Sequence, residues 1–246
     1  MDDRAEHVQR YWLPPHVLVC PRIEGTVLLD LKQNRYFALS TSDSVTLSHI
    51  VPNWPALPDN DSCTHHFGSR KVAEAYAAKL LKSGLLSAAE PTVNAPMGEA
   101  IAPLASVGEE ISVKATISVN HLSIFVRSYR WARHSVWNRS LHDIRCEVVD
   151  MRSAGDSYAT AAFDNEAVRL VSVFRILRPY SFTAKDQCLV HSLALLKFLA
   201  HYRVYSTWVI GITLRPWSAH SWIQLRELVL DSTPEKVCDF TPILVV

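Results

Sequence analysis

The strongest structural signal in the chain is the run Asp186-Gln187-Cys188-Leu189-Val190-His191-Ser192-Leu193-Ala194-Leu195-Leu196-Lys197-Phe198-Leu199. Its apolar residues recur at helical spacing, and Asp186 is a residue type that favours helix N-caps. The run therefore predicts a buried helix with Cys188 in its first turn. Because the free N–H groups and dipole of a helix N-terminus favour a thiolate over a thiol, Cys188 is a candidate nucleophile. A cysteine on an apolar helix is also a common core residue, and that interpretation stays open.

A histidine follows at the start of an alternating, strand-like segment, Ala219-His220-Ser221-Trp222-Ile223-Gln224-Leu225. A cysteine on a helix followed by a histidine on a strand is typical of papain-like and transglutaminase-like enzymes. We therefore expect Cys188 and His220 to form a pair of nucleophile and base.

The register of the next hairpin gives a candidate for the residue that orients the histidine. If the chain turns tightly at Arg226-Glu227, Leu225 lies opposite Leu228 and Trp222 lies opposite Asp231. Asp231 then lies diagonal to His220 on the same face of the sheet, while Ser232 points to the other face. This predicts that Asp231 orients the imidazole. A longer turn would change the register, and an aspartate here can also simply cap the strand end.

With these residues in place, the second half of the chain resembles a known family, the maturation proteases of lasso peptide biosynthesis. The resemblance spans about residues 110–246 and rests on an ordered set of short motifs: Cys188 with Ser192-Leu193-Ala194-Leu195, Ile210-Gly211-Ile212, Arg215 to Trp222, Leu230-Asp231-Ser232, and Phe240 to Leu244. The spacing from His220 to Asp231 is one residue shorter than the family leads us to expect, and Leu230 stands where the family usually has Asn. A shortened turn at Arg226-Glu227 would account for the spacing.

The resemblance implies a papain-related, transglutaminase-like cysteine peptidase that removes the leader from a ribosomally made lasso precursor. It assigns Cys188 as nucleophile, His220 as base and Asp231 as the orienting residue. Gln187 and Gln224 are the candidates for a side chain that helps the Cys188 N–H hold the oxyanion. The implied partners are the precursor leader and an ATP-dependent macrolactam synthetase that receives the freed core. A transglutaminase-type acyl transferase and a non-catalytic leader-binding scaffold remain as alternatives.

Composition bounds the remaining possibilities. The chain has 246 residues and a net charge of +1, which gives no support to a nucleic-acid binder with a basic surface. Its five cysteines are scattered and odd in number, which favours a reducing compartment. The N-terminus lacks a secretion signal and no segment is long enough to span a membrane, so the expected location is cytoplasmic. Cys63, His65 and His66 have no second ligand cluster at zinc-finger spacing, and we predict neither a metal nor a cofactor. His49, His191 and His201 are interpreted as structural.

The first half of the chain predicts a small α+β domain. Strand-like segments cover residues 16–20, 26–31 and 35–39, with Asn34 in a hairpin turn, and two helices follow, the second over 70–83 with Ser69 as its cap and Gly84 at its end. Residues 89–109 contain prolines and no sustained period, and we interpret them as a linker between domains.

The segment from Val27 to Leu39 resembles the leader-recognition domain of peptide-modifying systems, a winged helix-turn-helix. That resemblance covers about residues 13–88 and implies that the leader adds as a strand beside the hairpin's outer edge, against the second helix. The leader-binding residues it implies are Arg35, Tyr36, Phe37, Ala38, Leu39, Tyr76 and Lys79. By alternation, Phe37 is the member of the Tyr36-Phe37 pair expected to face the core.

Overall fold

The chain divides into two compact units, Met1–Pro96 and Met97–Val246. The structure is a computed structural model, and it describes residues 10–56, 70–91, 102–103, 105–107, 116–153, 161–178 and 188–246. The division between the units falls inside the segment 89–109 that the sequence predicts as a linker. Ser69, Asp186, Gln187 and the Cys63 to His66 cluster lie outside the described residues.

The first unit is built on an antiparallel meander of β1 (Val17–Arg22), β2 (Gly25–Asp30) and β3 (Arg35–Leu39), paired in that order. Asn34 takes a positive φ of 54° in the turn before β3, and the Asp30 carboxylate accepts from the N–H groups of Lys32 and Gln33 in the same loop. Among the described strands, β3 pairs on one side with β2. The predicted hairpin is present, and Arg35–Leu39 form its outer strand.

Two helices cover this sheet, α1 (Thr41–Ser48), capped by Ser40, and α2 (Arg70–Lys82). Phe37 and Tyr76 are partly buried against the core, which agrees with the prediction that Phe37 faces inward. That core is made of residues from both layers: Tyr11, Leu13, Val17, Val19, Leu28, Leu39, Leu47, Val51, Trp54, Ala77, Leu80, Leu85 and Leu86. These elements form a small α+β unit, while the winged helix-turn-helix assignment stays a prediction.

After the short strand Ala105–Ser106, the described part of the second unit has four long helices before its main sheet: α3 (Val119–Asn138), α4 (Leu141–Ser153), α5 (Ala161–Leu177) and α6 (Cys188–His201). Helix α6 is buried along most of its length and packs against α3 and α5. Trp137, near the end of α3, is 71% exposed and does not contribute to the core. The buried stripe of α3 consists of the two rings His121 and Phe125 and of smaller residues that include Ile124 and Ala132.

The described strands of this unit pair in the order β4-β7-β6-β5-β8. Their bounds are Ala105–Ser106 for β4, Thr207–Leu214 for β5, Trp217–Leu225 for β6, Leu228–Val229 for β7 and Thr241–Val245 for β8, with the short helix α7 (Pro234–Val237) between the last two. Helix α6 lies against β6. Strand β4 falls inside the predicted linker but pairs with β7, so this end of the segment belongs to the second unit.

Candidate active site

Cys188 is the first residue of α6, as predicted, and it is half-buried. The helix behind it is hydrophobic, and its burial fixes the position of its first turn. The other cysteines among the described residues occupy different surroundings. Cys20 is buried in β1, where burial raises the pKa of its thiol to about 11, and Cys146 and Cys238 are exposed on other elements. Of the described cysteines, only Cys188 lies at a helix N-terminus.

A serine hydroxyl joins the first turn of α6 to strand β6. Ser192 Oγ lies 2.7 Å from the Cys188 carbonyl oxygen and 2.8 Å from the Ser221 carbonyl oxygen. A hydroxyl has one proton, so the two carbonyls and the Asp231 carboxylate, which also lies beside this hydroxyl, share one donor, although both carbonyls are within hydrogen-bond distance. Ser221 follows His220 in the chain. The tie therefore brings the backbone at Cys188 close to the backbone beside His220.

The imidazole of His220 is enclosed by aromatic rings. It stacks on Trp222 at a centroid distance of 6.1 Å with the planes 20° apart, and it lies 5.4 Å from the ring of Phe240. Burial, together with the positive charge of Lys236, lowers the pKa of His220 to about 4. At neutral pH the ring is therefore uncharged and able to accept a proton.

The hairpin register is the predicted one at its start, with Leu225 opposite Leu228 and Gln224 opposite Val229. Beyond Val229 the side chains do not follow the predicted alternation. Ser232 Oγ lies 3.5 Å from His220 Nε2, so the prediction that Ser232 points to the other face is wrong.

The carboxylate of Asp231 lies beside Ser192 and His191 of helix α6. Its Oδ1 accepts from the Ile223 N–H at 2.8 Å, the Ser192 hydroxyl also bonds to the carboxylate, and Oδ2 lies 3.8 Å from His191 Nδ1. The side chain is 2% exposed. Burial raises the pKa of the Asp231 carboxyl to about 6, against the lowering effects of those hydrogen bonds and of the Arg175 charge. The predicted role of Asp231, orienting His220, stays a prediction.

His191 lies one turn after Cys188 and is buried beside Asp231. Burial lowers the pKa of His191 to about 3, and the positive charges of Arg178, Arg175 and His220 act in the same direction. The ring is neutral at pH 7, and 3.8 Å exceeds hydrogen-bond length, so the two side chains are in contact without forming an ion pair. Sequence reasoning treated His191 as structural and missed this neighbour. The available signal was a polar residue inside an apolar helix, since buried polar groups need polar partners.

The two candidate oxyanion side chains have different outcomes. Gln187 lies outside the described residues. Gln224 is buried in β6, where its Oε1 accepts from Trp222 Nε1 at 3.1 Å and its Nε2 donates to the Arg226 carbonyl at 2.6 Å. It stands four residues from His220, about 13 Å along an extended strand. Its amide is held in the β6–β7 hairpin, and this placement counts against Gln224 as an oxyanion donor.

Comparison with known protein families gives a match that covers most of the second unit. Residues 129–245 match the family model of the transglutaminase-like superfamily. The match begins in α3 and ends in β8, and it encloses Cys188, His220 and Asp231. Residues 129–245 form a transglutaminase-like domain. Domains of this superfamily usually carry cysteine-protease or acyl-transferase activity.

Other comparisons add no closer relative to the transglutaminase-like domain. No curated protein and no solved structure gives a significant match to the chain.

In the part of the chain that the structure describes, no group of three or more His, Cys, Asp or Glu side chains is arranged to hold a metal ion. None of the helices described there combines the length and apolar character that crossing a bilayer requires.

The predicted leader-binding residues all belong to the first unit. Arg35 and Ala38 are exposed on the outer strand, Tyr36 and Phe37 are half-buried, and Leu39 is buried. Tyr76 and Lys79 lie on α2, where Tyr76 is partly buried and Lys79 is exposed. Burial, with the negative charge of Asp43, raises the pKa of the Tyr76 hydroxyl.

Proposed function

We propose that the transglutaminase-like domain is a cysteine peptidase with Cys188 as nucleophile and His220 as base. The observation that carries the proposal is the tie through Ser192. It holds the first residue of a buried helix against the strand that bears a neutral, partly buried histidine. Those are the parts that thiol catalysis needs: a nucleophile at a helix N-terminus and an imidazole able to take its proton.

The reaction follows from these positions. His220 accepts the thiol proton, and the Cys188 sulfur attacks the carbonyl carbon of the scissile peptide bond. The carbonyl oxygen becomes an oxyanion, which the Cys188 backbone N–H stabilises because it lies at the start of α6. The C–N bond then breaks as the imidazolium gives its proton to the leaving amine. Water, deprotonated by His220, hydrolyses the thioester and regenerates the thiol.

The finer proposal is that the substrate is a lasso peptide precursor and that the bond cut joins its leader to its core. It is supported by the order of motifs around Cys188 and His220 and by the outer strand of the first unit. An extended leader added to β3 would gain backbone hydrogen bonds, and Tyr36, Tyr76 and Lys79 would provide side-chain selectivity. An ATP-dependent macrolactam synthetase is the proposed partner that closes the ring of the freed core.

An acyl transferase uses the same first step and differs only in the group that resolves the thioester. In that case an amine, not water, attacks the acyl-enzyme, and the product is heavier than the hydrolysis product. A leader-binding scaffold would bind the precursor and leave it intact.

Mass spectrometry of the precursor encoded beside this gene separates these functions. The full-length protein, Cys188→Ala and the matched control Cys146→Ala, which removes an exposed thiol of α4, are each incubated with the precursor, with and without the synthetase. We expect cleavage at one leader–core bond by the wild type and by Cys146→Ala, and none by Cys188→Ala. Cleavage that survives Cys188→Ala would refute the nucleophile. An uncut precursor that still binds in every arm would indicate a scaffold.

A further inference from the structure

We propose that Ser232, the residue after the predicted Asp231, orients the imidazole of His220. This inference rests on the proposed function, because it concerns the base of the same reaction. Within the described part of the chain, Ser232 Oγ is the hydrogen-bonding atom that the structure places beside the ring, at 3.5 Å from Nε2. Trp222 and Phe240 restrict the other directions in which the ring can turn.

A hydroxyl can donate to Nε2 or accept from it, and the proposed orientation requires the tautomer in which Nε2 carries the hydrogen. If the Nε2–H group donates to Ser232 Oγ, the lone pair of the neutral ring lies on Nδ1, which is then the nitrogen that takes the thiol proton of Cys188. When the imidazolium forms, the Nε2–H bond becomes charge-assisted and therefore stronger. Ser232 thus holds the ring in its reactive orientation and favours the charged state formed during the reaction. We therefore class it as a positioning residue.

The electrostatics of the ring agree with a hydroxyl neighbour. A carboxylate at hydrogen-bond distance stabilises an imidazolium and raises its pKa. The influences on His220 are instead burial and the charge of Lys236, and both lower its pKa.

Asp231 has a different function in this arrangement. The Leu230 N–H makes a further ladder bond, to the Ile223 carbonyl, and the Asp231 carboxylate then takes the Ile223 N–H. A side chain thus replaces the backbone acceptor that a longer β7 would supply. The same carboxylate bonds to Ser192 and contacts His191 of α6. Asp231 positions the cysteine helix, and Ser232 positions the imidazole.

Five variants of the full chain test this division, and one of them, Asp231→Asn, removes the charge of the neighbouring carboxylate. Ser232→Ala removes the hydroxyl, Ser232→Thr keeps it, and Ser232→Asp places a carboxylate near Nε2. The control Ser218→Ala makes the same change at a partly buried serine two residues before His220 on β6. Loss of one hydrogen bond that acts in the transition state corresponds to about a ten-fold fall in kcat. We expect that fall in Ser232→Ala with KM little changed, recovery to within a few-fold in Ser232→Thr, and no change in Ser218→Ala.

An NMR titration of the His220 ring gives a readout that does not depend on catalysis. Ser232→Asp is expected to raise the midpoint of His220 clearly above that of the wild type, because the new carboxylate faces the ring. The proposal is overturned if Ser232→Ala keeps the kcat of the wild type, or if Ser232→Asp leaves the His220 midpoint unmoved while Asp231→Asn lowers it. If the wild type cuts no peptide, the proposed function fails, and the titration still decides whether Ser232 faces the ring.

Discussion

The buried carboxylate of Asp231 predicts how the stability of the second unit depends on pH. Its pKa is about 6 in the folded protein and 3.8 without burial. Each pKa unit corresponds to about 1.4 kcal/mol, so the ionised carboxylate costs the fold about 3 kcal/mol relative to the protonated one. The side chain is 2% exposed, so solvent screening reduces this figure little. Asp231→Asn keeps an acceptor for the Ile223 N–H and carries no charge.

The direction of the effect follows from the raised pKa. Between pH 3.8 and about 6 the folded chain retains a proton that the unfolded chain has lost. The free energy of unfolding of the wild type therefore falls, relative to that of Asp231→Asn, as pH rises through this window. The lowered pKa of His191 also makes stability depend on pH, but it is present in both proteins and largely cancels in their difference.

Urea unfolding of both proteins at several pH values between 4.5 and 7.5 measures this difference. We expect the advantage of Asp231→Asn to grow across this range by about 2 kcal/mol and to level off above pH 7, because about 1 kcal/mol of the change already occurs below pH 4.5. The matched control Asp150→Asn makes the same change at an exposed carboxylate on α4. A flat difference for Asp231→Asn would refute the reasoning. A difference of the opposite sign would mean that Arg175 or a charged His191 stabilises the ionised carboxylate.

Two further substitutions test the packing around the site. Ser192→Ala removes the tie to the Ser221 carbonyl, so it should lower the free energy of unfolding by about 1–3 kcal/mol and reduce kcat. The control is Ser172→Ala, which alters a buried serine that bonds within its own helix. It should lower the free energy of unfolding by less, measured by denaturant unfolding, and leave kcat unchanged. Equal losses in both variants would show that the tie has no special role. Gly211→Ala places a Cβ 2.7 Å from the Trp222 ring, so either that ring moves from beside the imidazole or the strand shifts, and both thermal stability and cleavage rate should fall. An alanine variant with the melting temperature and rate of the wild type would contradict this contact.

Local patterns were sufficient where one element determines the position of a residue. The hairpin strand Arg35–Leu39, the helix over 70–82 and the start of α6 at Cys188 all follow from alternation, periodicity or cap chemistry within a short segment. The opening register of the β6–β7 hairpin could also be predicted, because a two-residue turn determines which residues pair.

The side chains that complete the site could not be predicted in this way. Alternation applies only while the chain remains in a strand, and β7 ends at Val229, so it no longer determines where Asp231 and Ser232 point. The position of Gln224 depends on its bonds to Trp222 and Arg226, which are tertiary contacts within the hairpin. The neighbour of His191 is Asp231, which lies 40 residues along the chain and after the end of β7, and no local period carries that information.

The tight turn at Arg226-Glu227 explains why neighbouring residues exchange roles. Arg226 takes a positive φ of 52°, and Leu225 pairs directly with Leu228. A turn one residue longer would give the spacing that the lasso-protease resemblance leads us to expect, and a one-residue shift in a hairpin reverses the face on which each side chain lies. In this chain the carboxylate is consequently directed to the Ile223 N–H and the cysteine helix, and the next side chain reaches the imidazole. The hydroxyl of Ser232 then occupies the place beside Nε2 where the resemblance predicts an aspartate. A thiol enzyme tolerates that exchange because a hydroxyl can accept the Nε2–H bond and so keep Nδ1 free for the thiol proton.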